Sequence, residues 1–376
     1  MAIPQIILLT NDFPPGYSGG IANFYSSLCK NDTGSGVKVI TLSAPLGKDY
    51  DRAQDLDVLR VWSPVREGLF SRFLQLGLFF FATIIYLQRK NVAAVWCGHV
   101  YLSPIGFVLK RLFGVPYFMV MYGGEEGVYL DSKLKARIFG PLVRNATFLF
   151  GCSGYVKELI DTRWKYKGPV YVVNPGVDTE KYYSDESSNS NHGTDAGFSL
   201  LTVGTLVKRK GHDKVIEAVA SLRSAIPDIK YSIVGTGPEM EELKSLAYGK
   251  YGLDEVVEFL GFVDDADMPA CYNRADIFIM PSRMTHDTRG TEGFGIVYLE
   301  ANASGKPVIG GKSGGVSDAV VDGETVESAG LLGITKEGVR VVDSWSMTLR
   351  IGLTEESVKE LISMFAEKGI VWKESY

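Results

Sequence analysis

Short apolar runs rich in valine, isoleucine and aromatic residues alternate with stretches of helical periodicity along most of this chain. In the first half the runs fall at 5–10, 37–42, 93–97, 116–121, 146–150 and 170–173. They restart at 198–203, 230–234, 256–260, 277–280 and 307–310. Strand-type runs that alternate with helices predict parallel sheets built of βα units. Between the two series lies Ser184-Asp185-Glu186-Ser187-Ser188-Asn189-Ser190-Asn191-His192-Gly193, polar and nearly devoid of apolar residues, which reads as a flexible linker or loop. The pattern predicts an α/β protein of two doubly wound domains, residues 1–178 and 198–376, joined by 179–197, with their ligand loops at a shared central cleft. A length of 376 residues suffices for two domains, and no short tandem repeat is visible.

The densest chemistry sits in Thr291-Glu292-Gly293-Phe294-Gly295-Ile296-Val297-Tyr298-Leu299-Glu300-Ala301. Gly293 and Gly295 permit positive φ and a close backbone approach to a ligand. Residues 296–303 read as a helix, so the amides of Phe294 to Val297 lie at its N-terminus. Open amides and the positive end of a helix dipole form an anion site. If wholly helical, Glu292 and Glu300 stand roughly 12 Å apart at the 1.5 Å rise. Paired carboxylates that cleave one glycosidic bond stand about 5–9.5 Å apart. The two glutamates therefore suit the two ends of one long ligand. A second glycine turn follows, Gly310-Gly311-Lys312-Ser313-Gly314-Gly315, and the pair suits a sugar joined to a diphosphate.

Other loops fall at strand ends. Asn11-Asp12-Phe13-Pro14-Pro15-Gly16-Tyr17-Ser18-Gly19-Gly20 is compatible with phosphate but lacks the GxGxxG spacing of dinucleotide binders. Gly98-His99 follows the third run, and Tyr122-Gly123-Gly124-Glu125-Glu126 the fourth. In the second half, Gly204-Thr205-Leu206-Val207-Lys208-Arg209-Lys210-Gly211 sets three cations where a diphosphate could be neutralised. Gly235-Thr236-Gly237-Pro238-Glu239 follows the next strand.

Composition changes this picture in three ways. The net charge is −5, so nucleic acid is not an expected partner. The charge is uneven, with ten Lys/Arg against four Asp/Glu between Arg66 and Arg144. That stretch also holds the apolar run 76–87, so a basic, aromatic face suits peripheral contact with an anionic membrane. The run itself is short for a membrane span and fits a buried helix of the first domain. No signal peptide is expected, since Met1-Ala2-Ile3-Pro4 leads directly into a strand. Four scattered cysteines and four dispersed histidines argue against zinc and disulfide frameworks and fit a reduced cytosolic setting.

Taken in order, these motifs resemble the retaining glycosyltransferases of family 4, which have the GT-B fold of two Rossmann-like domains. The resemblance covers 5–325 and rests on Glu292-x7-Glu300, Gly305-Lys306-Pro307-Val308, Gly314-Gly315 and Asn174-Pro175-Gly176-Val177-Asp178. Glu-Gly-Phe-Gly-Ile-Val-Tyr-Leu-Glu is closest in wording to the bacterial branch that contains phosphatidylinositol mannosyltransferases. The resemblance implies an acceptor-binding first domain and a nucleotide-sugar-binding second domain. It implies that Glu292 holds hydroxyls of the donor sugar beside the Gly293, Phe294, Gly295 and Ile296 backbone, and that Glu300 binds the ribose. Lys210, with Arg209, would neutralise the diphosphate, and Gly19 and Gly20 would pack against the donor phosphate. No metal and no cofactor is implied, because cations and helix termini stabilise the leaving diphosphate. The leaving phosphate takes the acceptor proton on the face it departs from, and the configuration is retained. The implied setting is cell-envelope glycan synthesis by a cytoplasmic, peripheral membrane enzyme, with a hexose such as mannose passing to a lipid-linked or glycan acceptor.

The chain departs from that pattern at three places. Thr205 stands where the family has arginine, leaving Lys208 or Arg209 to supply the charge. Tyr122 stands where the family has the histidine that positions the reacting sugar, with His99 as a possible substitute. After Asp322-Gly323-Glu324-Thr325 the family's continuation is replaced, and a single helical pattern at 355–368 follows. These departures motivate a second reading, a catalytically impaired relative that holds a nucleotide sugar or a partner enzyme.

Overall fold

The computed structural model describes residues 5–17, 19–30, 36–62, 69–87, 92–184, 198–285 and 290–320, with the strands Leu332–Thr335 and Gly338–Val341. Residues 185–197 of the expected linker, the altered segment 322–331 and the expected helix at 355–368 lie outside them. The chain divides into two compact units, Met1–Pro175 and Gly176–Tyr376.

The first unit runs β1 (Gln5–Leu9), α1 (Gly20–Lys30), β2 (Val37–Leu42), α2 (Gly47–Ala53), β3 (Val58–Val61), α3 (Leu69–Leu87), β4 (Val92–Cys97), α4 (Ser103–Phe113), β5 (Tyr117–Met121), α5 (Glu125–Tyr129), α6 (Lys133–Arg144), β6 (Phe148–Gly151), α7 (Gly154–Leu159) and β7 (Val170–Val172). Its seven strands form one sheet in the order β3-β2-β1-β4-β5-β6-β7, with every pair parallel. Leu8 pairs with Val39 on one side and Trp96 on the other. The central strands are near-continuous apolar runs because helices cover both faces of a parallel sheet. All of β5 is buried.

Strand β3 is missing from the sequence expectation. It has four residues, carries Arg60, and lies at the sheet edge against β2 alone. A short edge strand needs no continuous apolar run, so periodicity does not mark it. Its Arg60 is tertiary in purpose: the guanidinium clamps Asp51 through two bonds of 2.8 and 2.7 Å and donates to the Pro14 carbonyl at 2.6 Å. The edge strand thereby anchors the loop after β1.

The apolar run at 76–87 is the C-terminal part of α3. Gln75, Phe79 and Thr83 are buried along one face, while Phe73, Phe81 and Ile85 on another are exposed. The helix is thus only half enclosed. Among the described residues, no helix is long and apolar enough to cross a membrane.

The second unit runs β8 (Ser199–Val203), α8 (His212–Leu222), β9 (Lys230–Val234), α9 (Met240–Lys244), β10 (Val257–Gly261), α10 (Met268–Arg274), β11 (Ile277–Met280), α11 (Ile296–Ala303), β12 (Val308–Gly310), α12 (Val316–Ala319), β13 (Leu332–Thr335) and β14 (Gly338–Val341). Strands β8 to β12 form a parallel sheet in the order β10-β9-β8-β11-β12. Strands β13 and β14 form a separate antiparallel pair that the sequence reading did not anticipate. Helix α8 shows why the sheet is covered. Val215, Ile216, Val219 and Leu222 repeat at helical spacing and are buried against Leu200, Tyr231 and Ile233. Burying each such side chain stabilises the fold by roughly 1.5–3 kcal/mol.

Each sheet has one place where the strand order reverses. In the first it lies between β1 and β4, and in the second between β8 and β11. Loops that leave neighbouring strands there diverge and open a crevice at the strand C-termini.

Candidate functional site

At the switch point of the second sheet, the loop after β8 ends in one tight turn, Lys208–Lys210, before α8. Gly211 has φ +80°, and a Cβ there would lie 2.5 Å from the Pro281 carbonyl oxygen. Only glycine lets the turn press against the loop that follows β11. The amide of Arg283 on that loop donates to the Arg209 carbonyl at 2.7 Å, and its guanidinium pairs with Asp213 at 2.8 Å. The cation turn is therefore fixed from both sides.

The loop after β11 returns to α11 through Glu292. Lys210 Nζ lies 2.5 Å and Arg209 Nη1 2.8 Å from the same oxygen, Glu292 Oε2. Burial works to raise the Glu292 pKa, but the Lys210 and Arg209 charges outweigh it and hold the carboxyl below its ordinary range. Burial lowers Lys210, with Arg209 adding to the effect and Glu292 opposing it. Both cations share one carboxylate, so together the three carry a surplus positive charge, as a diphosphate site requires. Lys208 is set apart: with Asp213, Glu239 and Arg283 it lines a cavity of about 550 Å³. Thr205 is exposed on the same loop, and its carbonyl accepts from the Val207 amide at 2.9 Å.

Helix α11 starts at Ile296, and Gly295 before it has φ +95°. No side chain caps the helix; the Tyr298 amide turns back to the Gly295 carbonyl at 3.1 Å, and the start of the helix presents its positive end to an anion. Tyr298 ties the helix to β11 through a 2.6 Å bond to the Met280 carbonyl. The second glycine turn packs on the first: Gly315 donates to the Glu292 carbonyl at 2.8 Å, and Gly314 has φ +61°. A Cβ on Gly314 would lie 2.3 Å from that carbonyl oxygen. Farther along α11, Glu300 is 8% exposed and accepts a 2.6 Å bond from the Tyr272 hydroxyl. Burial raises its pKa, opposed by the Tyr272 and Tyr182 hydroxyls and by Lys181.

At the switch point of the first sheet, His99 follows β4 and Asp12 follows β1. His99 Nε2 lies 3.1 Å from Asp12 Oδ2, and its ring stacks on Tyr101. Asn11 donates to Gln75 of α3 at 3.1 Å. Gly19 has φ +134° with open space around it, and Gly20 begins α1. Tyr122 follows β5, where the resemblance expects histidine. It sits edge-on to Phe24 and Tyr25, and the Tyr25 hydroxyl donates to the Gly98 carbonyl at 2.6 Å. Burial pushes the Tyr122 phenol well above its ordinary range, so it stays neutral.

The structure thus brings Arg209, Lys210, Glu292 and the Gly293-Phe294-Gly295-Ile296 backbone into one cluster, with Glu300 on the same helix. His99, Tyr122 and Gly19 lie on loops of the other unit, and Gly20 begins its α1. Sequence reasoning did not identify Asp12 as the partner of His99, nor Tyr272 and Tyr182 beside Glu300. Asp12 lies within the glycine loop after β1, while the tyrosines carry no local motif. Among the described residues, no group of three or more His, Cys, Asp or Glu is placed to hold a metal ion.

Residues 185–337 match the family model described as glycosyl transferases group 1. The chain is 28% identical over 342 residues to the GDP-mannose-dependent alpha-(1-6)-phosphatidylinositol monomannoside mannosyltransferase of Mycobacterium tuberculosis (strain CDC 1551 / Oshkosh), covering 86% of each. It is 32% identical over 308 residues to the D-inositol 3-phosphate glycosyltransferase of Corynebacterium aurimucosum, covering 74% of this chain and 70% of the relative. Its fold is similar to that of Anabaena Alr3699/HepE solved with UDP and glucose, with a TM-score of 0.67 at 19% identity over 85% of this chain and 83% of that one.

Proposed function

The chain belongs to the glycosyl transferases group 1, with the GT-B fold, and from that premise we propose that it is a retaining, metal-independent mannosyltransferase acting on a lipid-linked or glycan acceptor at a membrane surface. The observation that carries the donor half is the convergence of Arg209 and Lys210 on Glu292 beside the uncapped start of α11. In this reading the diphosphate takes over the two cations and the helix amides. Glu292 is released to the hydroxyls of the sugar, and Glu300 holds the ribose. Gly19 and Gly20 are assigned to donor binding, as the resemblance implies, and Thr205 leaves the charge to Arg209. The bond from the sugar anomeric carbon to the phosphate oxygen breaks, and an acceptor hydroxyl oxygen bonds to that carbon on the same face. The hydroxyl proton passes to the departing phosphate, so no base on the protein is required. Preorganised cations and amides stabilise the charge that develops on the leaving group. On the first unit, His99, which lies beside Asp12, and Tyr122 are assigned to the reacting sugar and the acceptor.

The choice of GDP-mannose follows the mycobacterial relatives, which are GDP-mannose-dependent mannosyltransferases. The membrane surface is supported by α6. Lys133, Lys135, Arg137 and Arg144 lie along it with no acidic residue, and Leu134 and Ile138 are exposed between them. Cations that flank an apolar stripe suit anionic lipid from the cytoplasmic side.

The test is incubation with GDP-mannose in excess chelator, with phosphatidylinositol mannosides in anionic vesicles and free glycans as alternative acceptors. An α-linked product that needs Glu292 and Lys210 is expected. A β-linked product refutes retention, restoration by added divalent metal refutes metal independence, and equal rates without vesicles refute the membrane acceptor. Nucleotide binding without transfer to any acceptor would favour the impaired relative.

A further inference from the structure

Glu300 is not alone in its pocket. Tyr272, on α10, is fully buried and donates to Glu300 Oε2 at 2.6 Å. Tyr182, on the segment that leads into this unit, is 5% exposed, and its phenol lies close enough to the same carboxylate to lower the Glu300 pKa. The two phenol rings meet edge to face at 5.7 Å. The segment carrying Tyr182 is itself pinned: Lys181 pairs with Asp265 at 2.6 Å, and Asn273 of α10 donates to the Tyr183 carbonyl at 3.1 Å.

This arrangement is costly for stability alone. Burying a carboxylate is unfavourable, and an apolar residue at 300 would pack against two aromatic rings without that cost. The phenols each spend a hydroxyl on an acidic group that faces no full counter-ion in the pocket. Lys181, the nearest cation, is already paired with Asp265.

We propose that Tyr272 and Tyr182 are positioning residues of the donor site: their hydroxyls hold the Glu300 carboxylate in one rotamer and leave its remaining acceptor capacity for the ribose hydroxyls of a nucleoside diphosphate. This rests on the placing of the ribose at Glu300 in the proposed function. A carboxylate fixed in advance loses no rotamer freedom on binding, and a charge-assisted bond to a fixed acceptor strengthens accordingly. The phenols also favour the ionised form of the carboxylate. They lower a pKa that burial raises, with Lys181 helping and Asp265 opposing.

The experiment uses the full chain and calorimetric titration with GDP and 2′,3′-dideoxy-GDP, between about pH 5.5 and 8.5. Tyr272→Phe, Tyr182→Phe, Glu300→Gln and the double variant Tyr272→Phe/Glu300→Gln are compared. Tyr272→Phe is expected to weaken GDP about five- to twentyfold and dideoxy-GDP less than twofold, so discrimination between them shrinks. Tyr182→Phe acts in the same direction. The acid limb of GDP binding moves to higher pH in both, because removing a donor raises the pKa of the free carboxylate further. In transfer assays the donor KM rises while kcat changes less than twofold. The double variant is no weaker than Glu300→Gln alone.

Two results overturn the inference in different ways. If Glu300→Gln lowers GDP affinity but Tyr272→Phe and Tyr182→Phe leave the ratio of the two ligands unchanged, the tyrosines are packing only. If Glu300→Gln leaves GDP affinity unchanged, the ribose is not at Glu300, and the placing of the donor fails together with the inference. Should Tyr272→Phe fold poorly, Tyr182→Phe, which keeps the ring, gives the same readout.

Discussion

Replacing Glu292 by glutamine should tighten the grip on a bare nucleoside diphosphate while it removes transfer. Glu292 Oε2 accepts from Lys210 at 2.5 Å and from Arg209 at 2.8 Å. It is therefore an internal competitor for the cations that a diphosphate needs. Two unit charges about 4 Å apart interact by about 4 kcal/mol at an effective dielectric near 20. A side-chain amide keeps one bond to the pair but loses the charge. Side-chain exposures of 9% for Lys210 and 12% for Glu292 leave little solvent screening, while 27% for Arg209 leaves more. After the wild type has broken these contacts to admit the ligand, the net gain for the variant is some fraction of that figure. About 1.4–2.8 kcal/mol corresponds to ten- to a hundredfold tighter GDP binding. Calorimetric titration with GDP in chelator, at low and high salt, reads this directly. Without ligand the variant should melt earlier, because two buried cations have lost their counter-charge. Saturating GDP should restore it. Transfer from GDP-mannose falls at least a hundredfold, since the amide no longer holds the sugar hydroxyls as the carboxylate does. GDP affinity equal to or below that of the wild type would refute the competition and the assignment of Arg209 and Lys210 to the diphosphate.

Arg209→Ala should weaken GDP about ten- to a hundredfold, in keeping with a lost charge-assisted bond of about 1.5–3 kcal/mol, whereas Lys208→Ala should change it less than twofold because Lys208 faces a separate cavity. Equal effects on titration would show that the turn acts as a general positive field. His212 is buried with both ring nitrogens unpartnered, and burial, with Lys210 and Arg283 adding and Asp213 opposing, pulls its pKa down to about 4. The unfolded chain then binds the proton first, so stability is full above pH about 6.5 and falls toward pH about 4, by up to about 1.4 kcal/mol per pH unit. Denaturant midpoints of His212→Leu should slope less across that window; parallel slopes would refute it. Gly314→Ala combines positive φ with a Cβ 2.3 Å from the Glu292 carbonyl oxygen and should cost at least about 2 kcal/mol. It should also weaken GDP, and unchanged melting and binding would show that the turn can move.

The sequence alone was enough for the parts written in local pattern. Buried strands of a parallel sheet are continuous apolar runs, so β5 and β11 stand out without any partner in view. Glycines at forced backbone positions are equally local, which is why the turns at Gly295 and Gly314 were legible and why α11 begins at the expected residue. Strand β3 was not legible, since its role is to carry Arg60 to Asp51 at a sheet edge and nothing in four residues announces that. The same holds for the site. That Arg209, Lys210 and Glu292 belong to one ligand is implied by the family resemblance, but not that both cations pair with the one carboxylate. Contacts such as Lys210 with Glu292, 82 residues apart, and Tyr272 with Glu300, 28 residues apart, are decided by strand order. Reversal of the order between β8 and β11 brings two distant loops to one crevice, and burial there gives their charges a strength that no spacing along the chain encodes.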